Sequence, residues 1–299
     1  MADSDTSPEF LTTREVATLL RVRERKVYEM AAADEIPCRR VTGKLLFPRA
    51  AIESWLAGPS IPPVELVQTA IRPNVIAGSH DPLLDWALRE AETGLATFFD
   101  GSLDGLKRLA AGEAMACGLH VFEPHHDNWN VDHASASEAG RSCVLLEWAK
   151  RRQGFILGAG VKDDIRKIED LRGHRVVLRQ KTAGSRILFD HLLARSGLSH
   201  DNLTIVAATA RTETDAATLV ASGQADISLG LEAGARQFNL AFVPLVEERY
   251  DLLVDRRSYF EPPLQKLFAF CRSPEFADKA EAMGGFNLSG HGHVHWNSP

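Results

Sequence analysis

FLTTREVATLLRVRERKVYEMAAADEIPCRRVTGKLLFPRAAIESWL, residues 10–56, holds two short amphipathic runs, a hairpin and a third run, in that order. Thr12 or Thr13 precedes the periodic apolar residues Val16, Ala17, Leu19 and Leu20, with Glu15 in the first turn, which predicts a capped helix. A tight turn at Arg21 and Val22 leads into a second helix over 23–33. There Val27, Met30 and Ala31 share one face, and Arg23, Arg25, Lys26 and Tyr28 lie mostly outside it. Ile36-Pro37 leads into strands 39–41 and 45–47, turned by Thr42-Gly43-Lys44, and Pro48 opens a last helix carrying Ile52, Trp55 and Leu56.

This is a helix-turn-helix with a basic second helix and a basic wing. Between residues 21 and 49 eight Lys or Arg stand against four Asp or Glu, a local +4 inside a chain of formal net charge -6. Such a patch attracts a phosphate backbone through counterion release. The bland alternative is a small docking module with a solvated basic face. The coincidence of a basic wing with a basic second helix favours DNA, through Arg23, Arg25, Lys26, Tyr28, Arg39, Arg40 and Lys44. Residues 10–57 resemble the excisionase type of winged helix, related to the DNA-binding domain of the mercury-resistance regulators. Heads of this kind usually read paired half-sites as dimers, so a homodimer is one expectation.

At 299 residues and 44% hydrophobic content, the chain has room for more than one domain with a sizeable core. Residues 1–9 are acidic and polar, unlike a signal peptide, and no apolar run approaches a membrane span. Cys38, Cys117, Cys143 and Cys271 are far apart with no CxxC pair, and read as reduced thiols of a cytoplasmic protein. The cluster AGPSIPP at 57–63 breaks helix and strand alike, so 58–72 is expected to be a linker and 73–299 a second domain.

From residue 74 short apolar runs alternate with helical stretches, the pattern of a mainly parallel sheet with crossover helices. Strand 74–77 ends at Gly78-Ser79-His80-Asp81 before a helix from Pro82. Strand 95–99 ends at Asp100-Gly101-Ser102 before a helix over 103–111. After a third strand near 116–121, the reading is a helix over 137–151, a strand 154–157, a helix 165–171 and a strand 175–178. The loop 179–186, containing Thr182, Ser185 and Arg186, then opens another helix. Strands 203–207 and 225–229 flank helix 213–222, strands 242–246 and 251–254 follow, and helices 263–271 and 274–283 lead to the tail. Backbone N–H groups at a helix start lack intrahelical partners and the dipole favours negative charge there, so three Gly-Ser turns that converge make an anion site.

Residues 74–296 resemble the type II periplasmic-binding-protein fold, specifically the molybdate-binding-like sensor domain joined to helix-turn-helix heads in bacterial regulators. The matching pieces are GSHDPLLD at Gly78, DGSLDGL at Asp100, GLH at Gly118, RQKTAGSR at Arg179, LVASGQADISLG at Leu219, ERYDLLV at Glu248 and LSGHGHVHW near the end. The family's usual Gly-Ser-Gly-Thr-Arg turn is altered here to Ala183-Gly184-Ser185-Arg186, preceded by Lys181 and Thr182. The resemblance implies two hinged lobes, with Ser79, His80 and Ser102 facing Thr182, Ser185 and Arg186 across a cleft and Asp226 and Tyr250 near the crossovers. It also implies a small oxyanion ligand, with molybdate or tungstate favoured.

Other chemistry is less well supported. There is no GxGxxG at a helix start, no Walker A motif, no GxSxG elbow and no HExxH, so no cofactor or catalytic residue is assigned. Asp163-Asp164 and Glu247-Glu248 read as solvated faces. His125, His126 and His133, and the alternating His291, His293 and His295, have metal-ligand chemistry but read as local packing or surface features. The expectation is an α/β chain with an N-terminal winged helix-turn-helix and a two-lobed binding domain, acting as a one-component transcriptional regulator. The runner-up is a ligand-binding enzyme or cofactor-handling protein of molybdenum metabolism whose head docks a partner.

Overall fold

The computed structural model describes residues 9–56, 71–137, 142–161 and 165–299. The chain divides into two compact units, Met1–Thr69 and Ala70–Pro299. The expected linker at 58–72 falls almost wholly outside the described residues, as does the acidic pair Asp163-Asp164.

In the first unit, β1 (Phe10–Leu11) precedes α1 (Thr13–Leu20). Thr12 caps α1 in a reciprocal box: its hydroxyl oxygen accepts from Glu15 N at 3.3 Å and Glu15 Oε2 accepts from Thr12 N at 2.7 Å. Arg21, at φ 55°, ends α1 in the left-handed region, and α2 (Glu24–Ala32) follows. The wing is β2 (Arg39–Val41) and β3 (Lys44–Pro48), and α3 (Arg49–Leu56) closes the unit. Sequence reading missed β1, which is only two residues long; it pairs antiparallel with β3 through Leu11 and Phe47. Val16, Val27, Ile36, Phe47 and Ile52 form the core of this unit.

The second unit has one long sheet. β4 (Val75–Gly78), α4 (Pro82–Glu90), β5 (Ala96–Phe98), α5 (Ser102–Ala110) and β6 (Ala116–Leu119) start the first lobe. A small hairpin, β7 (Phe122–Glu123) with β8 (Asn128–Trp129), and α6 (Val131–Ala136) come next. β9 (Cys143–Leu157) then crosses into the second lobe. That lobe holds β10 (Arg175–Arg179), α7 (Gly184–Arg195), β11 (Thr204–Ala210), α8 (Glu213–Ala221), β12 (Ile227–Leu231) and α9 (Glu232–Gln237). β13 (Ala241–Asp255) returns to the first lobe, where α10 (Pro262–Phe270), α11 (Pro274–Met283), β14 (Phe286–Asn287) and β15 (Val294–Asn297) finish the chain.

The strand order is β11-β10-β12-β9-β13-β6-β4-β5, and β14 and β15 also pair with β9. β4 runs parallel to β5 and β6, and β10 runs parallel to β11 and β12. The two 15-residue strands β9 and β13 pair antiparallel along their length and belong to both lobes, which makes them the hinge. Separate cores sit on either side: Leu83, Leu84, Trp148, Leu252 and Phe276 in the first lobe, and Phe155, Leu171, Val176, Phe189 and Leu229 in the second.

Three elements differ from the sequence reading. The helix expected over 137–151 is instead the first part of β9, with 138–141 outside the described residues. Val144, Leu145, Trp148 and Ala149 imitate a helical spacing, but the strand lies mid-sheet and is covered on both faces, so period-2 alternation disappears. The strands expected at 242–246 and 251–254 are one strand, which runs on through the residues between them, with Glu247 exposed and Glu248 and Arg249 buried. The helix expected at 165–171 is a 3-10 turn, Ile168–Leu171.

Gly118 on β6 lies against the Tyr250 ring, and a Cβ there would sit 1.7 Å from Tyr250 Oη. Gly118→Ala is expected to destabilise the second unit by about 1–3 kcal/mol through overpacking, lowering its melting midpoint by several degrees. Thermal unfolding followed by tryptophan fluorescence tests this, since Trp86, Trp129, Trp148 and Trp296 all report on that unit. An unchanged midpoint would mean the ring has room to move.

Candidate functional site

The C-terminal ends of β4, β5 and β10 feed the starts of α4, α5 and α7, so Ser79, Ser102 and Ser185 stand where three helices begin. All three are buried. Contacts across the cleft close it: Gln180 Nε2 donates to the Asp100 carbonyl at 2.5 Å, Thr182 Oγ1 to the same oxygen at 3.2 Å, and Leu103 N to the Thr182 carbonyl at 3.4 Å. Gly184 is so close to the first lobe that a Cβ on it would lie 2.2 Å from the His120 carbonyl oxygen. Access to Ser79 and Ser102 therefore requires the lobes to part.

Beneath Ser79 is a chain of buried polar groups. Ser79 Oγ meets His120 Nε2 at 2.8 Å, and His120 Nδ1 meets Glu248 Oε2 at 2.9 Å. Arg151 donates to Glu248 through Nη2 and to Asp81 Oδ2 through Nη1, the latter at 2.8 Å. Asp81 is also the N-cap of α4, accepting from Leu84 N at 2.7 Å, and it accepts from Trp148 Nε1 at 3.1 Å. Tyr250, at a register shift in β13, stacks below the Arg151 guanidinium at 4.3 Å and donates from its hydroxyl to the Ser79 carbonyl at 2.5 Å. Burial pushes the Glu248 carboxyl up, but Arg151 and His120 together hold it below the usual range. Burial likewise pushes the Tyr250 hydroxyl well up, which keeps it a proton donor.

The second lobe offers a matching pair. Arg179 and Glu213 are both buried and ion-paired, Arg179 Nη2 also donates to the Arg211 carbonyl at 2.9 Å, and Ser185 Oγ reaches Glu213 Oε1 at 3.4 Å. His80 faces this pair and stacks edge-on with Phe99, with ring centroids 5.6 Å apart. Burial lowers its pKa, opposed by Asp81 and Glu213. His80 Nδ1, Arg179 Nε, Glu213 Oε2 and both amide atoms of Gln153 make no hydrogen bond within the protein. Gln153 lies two residues along β9 from Arg151 and so on the same face. Buried polar atoms without partners cost about 1–3 kcal/mol each, and a set of them around one cleft is what a polar ligand relieves.

Ser79, His80, Ser102, Thr182 and Ser185 thus come together, with Tyr250 supporting the Ser79 turn from below. Two expected residues stand apart. Arg186 turns along α7, donating from Nε to Asp190 at 2.8 Å and from Nη1 to the Arg179 carbonyl at 3.3 Å. Asp226 sits before β12, at the opposite end of the strands from the helix starts, and is paired with Arg175 at 2.6 Å. Glu248, expected to be solvated, is fully buried, whereas its neighbour Glu247 is exposed as expected. His120, Arg151, Arg179, Glu213 and Glu248 were missed as site residues. The one signal for His120 was its place in the GLH segment.

In the head, Arg23, Arg25, Lys26, Tyr28, Arg39, Arg40 and Lys44 are all exposed. Arg25 pairs with Glu29 at 3.1 Å on the solvent face of α2. Among the tail histidines, His291 Nδ1 bonds the Trp148 carbonyl at 2.7 Å and His295 Nε2 meets Glu147 at 2.7 Å, which fastens β15 to β9. No helix among the described residues is long and apolar enough to cross a membrane.

Removing the Arg151 charge leaves Asp81 and Glu248 buried without their cation. Arg151→Met is expected to cost about 3–5 kcal/mol, and adding Glu248→Gln should recover part of it. Urea unfolding of the single and double variants measures both; additive losses would show that the two residues do not act as a pair.

Residues 86–272 match the model of the PBP superfamily domain, and residues 10–60 match that of a helix-turn-helix domain. The chain is 23% identical over 291 residues to the uncharacterized protein YvgK of Bacillus subtilis (strain 168), which covers 92% of this chain and 94% of that one. It is 34% identical over 79 residues to an uncharacterized protein in the ferredoxin 2Fe-2S gene 5' region of Clostridium pasteurianum, covering 26% of this chain and 70% of the relative. Among solved structures it is similar to a protein assigned as a phosphate ABC transporter substrate-binding protein, with bound phosphate, from Clostridium perfringens. That likeness spans 71% of this chain and 97% of the other at 15% identity and a TM-score of 0.53, and concerns the fold. With the superfamily match covering well over half of its residues and the hinged sheet in agreement, the chain belongs to the PBP superfamily and carries a helix-turn-helix domain at its N-terminal end.

Proposed function

We propose that this protein is a one-component transcriptional regulator, in which the helix-turn-helix head binds DNA and the two-lobed domain senses a small cytoplasmic oxyanion. The observation that carries the reading is the convergence of the starts of α4, α5 and α7 on one closed cleft lined by hydroxyls. Ser102 Oγ accepts from His120 N at 3.2 Å, which leaves its proton to donate to a ligand. The bound phosphate of the Clostridium perfringens protein supports an anion in this fold. Molybdate or tungstate is the favoured ligand: a fully ionised tetrahedral oxyanion needs only donors, whereas a protonated one also needs an acceptor. Asp226 is held by Arg175, and the carboxylate among the partnerless groups of the cleft is Glu213. Calorimetry with molybdate, tungstate, sulfate and phosphate tests this. A preference for phosphate or for an organic acid would put Glu213 against the ligand and remove the molybdate assignment.

Ligand changes DNA affinity only as far as it distinguishes the closed lobes from the open ones. Ser102→Ala is expected to weaken anion binding roughly tenfold or more, the value of a charge-assisted hydrogen bond, with ligand-free DNA binding unchanged. Arg186→Ala should alter anion affinity by only about twofold, because its guanidinium is engaged by Asp190. DNA titrations with and without ligand in both variants measure the coupling. A large loss in Arg186→Ala alone would place the anion on the outer side of α7.

For the head, roughly five phosphate contacts give a log-log salt dependence of DNA affinity with a slope of about -4 to -5. Replacing Arg39 and Arg40 together by Ala is expected to make the slope shallower. Band-shift titrations over a range of salt check it, and an unchanged slope would remove the wing from the interface.

A second reading, catalysis, has one observation in its favour: Ser79, His120 and Glu248 are aligned as nucleophile, base and carboxylate are in acyl-transfer triads. Covalent labelling of Ser79 by a fluorophosphonate would support it. The binding reading expects none, since Ser79 is buried in the closed lobes.

A further inference from the structure

We propose that His120 couples anion binding to the uptake of one proton by the protein, so that the site takes a deprotonated oxyanion and places the accompanying proton on its own imidazole. This rests on the oxyanion reading of the cleft. The Ser79 hydroxyl carries a single proton. Glu248 is held ionised by Arg151, so the nitrogen facing it, His120 Nδ1 at 2.9 Å, must carry a hydrogen. In neutral His120 the other nitrogen, Nε2, is then bare and accepts a hydrogen bond from the Ser79 hydroxyl across 2.8 Å, turning the Ser79 lone pairs toward the cleft. An oxyanion is repelled by that arrangement. Once Nε2 is protonated it donates to Ser79 Oγ, and the Ser79 proton is released to point at the anion.

Charge balance gives the same answer. Arg179 and Glu213 cancel in the second lobe, and in the first Asp81 and Glu248 exceed Arg151 by one negative charge. Protonated His120 brings that cluster to zero, with the helix starts left to favour the anion. The groups packed around the imidazole are Ser79 from the β4–α4 turn, Ser102 from α5, Glu248 and Tyr250 from β13, with Arg151 of β9 and Asp81 behind them, and the backbone of Gly184 from the second lobe. His80 is the other titratable imidazole in the cleft, and the test has to separate the two. Uptake of one proton per anion bound makes anion affinity fall by about tenfold per pH unit as pH rises through the range where uptake is complete.

Calorimetry of the full chain with molybdate, in two buffers of contrasting ionisation enthalpy near neutral pH, counts the protons. The expected result is uptake approaching one proton per anion bound in the wild type and near zero in His120→Gln, whose anion affinity should no longer depend on pH. Nitrogen chemical shifts of His120 in the wild type, with and without molybdate, read the same protonation directly and do not depend on the variant folding. Uptake near zero in the wild type, uptake unchanged in His120→Gln, or molybdate-dependent protonation seen at His80 and not at His120 would overturn the role of His120 while leaving anion binding intact. Failure of molybdate, tungstate, sulfate and phosphate alike to bind would remove the oxyanion reading and this inference with it.

Discussion

A guanidinium cut off from water needs negative charge and acceptors beside it, and Arg151 finds both in Asp81 and Glu248. Each of those partners has another task. Asp81 caps α4, so the first of the three converging helix starts is fixed to the hinge strand β9. Glu248, on the second hinge strand, orients His120, and His120 holds Ser79. The position of the first helix start and the orientation of the serine in the turn before it are therefore tied, through one cation, to the two crossover strands. Isolated buried pairs often contribute little net stability against an apolar replacement. What this one contributes is registration: the Tyr250 ring beneath the guanidinium and its hydroxyl on the Ser79 carbonyl leave the turn little freedom.

Much of the architecture was legible because it repeats. A short apolar strand, a Gly-Ser turn and a helix recur at Gly78, Gly101 and Gly184, and local rules suffice to place them. The head was legible for a similar reason, as the Thr12 cap, the Gly43 turn and Pro48 punctuate it. The hinge strands were not legible. β9 is covered on both faces and so lost the alternation that marks a strand, while β13 carries Glu248, Arg249 and Asp251 through the sheet interior, where a local reading assigns charges to solvent. Charges are buried there because other groups meet them: Asp251 neutralises Arg249, whose remaining N–H groups donate to Asn128 and Trp129 far along the chain, and Arg151 pairs with distant Asp81.

The same gap explains why two expected residues lie apart from the others. Arg186 follows the altered turn, which made it the natural anion contact, but Asp190 one turn along α7 offers a nearer partner. Asp226 precedes a strand whose far end approaches the cleft, and strand polarity, not sequence proximity to LVASGQAD, decides which end that is. Glu213, a buried carboxylate of the second lobe, stands at the first position of α8, where its charge suits the helix start and the Arg179 guanidinium meets it.

In the regulator proposed above closure would be the signal, so the contacts that exist only when the lobes meet would determine it. Here those are largely backbone contacts: the Asp100 carbonyl accepts from Gln180 and Thr182, Leu103 N donates to the Thr182 carbonyl, and Gly184 lies on the His120 carbonyl where no side chain fits. Neutral hydrogen bonds of this kind contribute about 0.5–1.5 kcal/mol each, enough to bias closure but not to fix it. Against them stand the partnerless atoms of His80, Gln153, Arg179 and Glu213, whose burial opposes closure until a ligand meets them. The two sets act in opposite directions on one equilibrium. A ligand that satisfies the second set is therefore worth more to the closed lobes than its own contacts alone, which is the differential affinity that a switch requires.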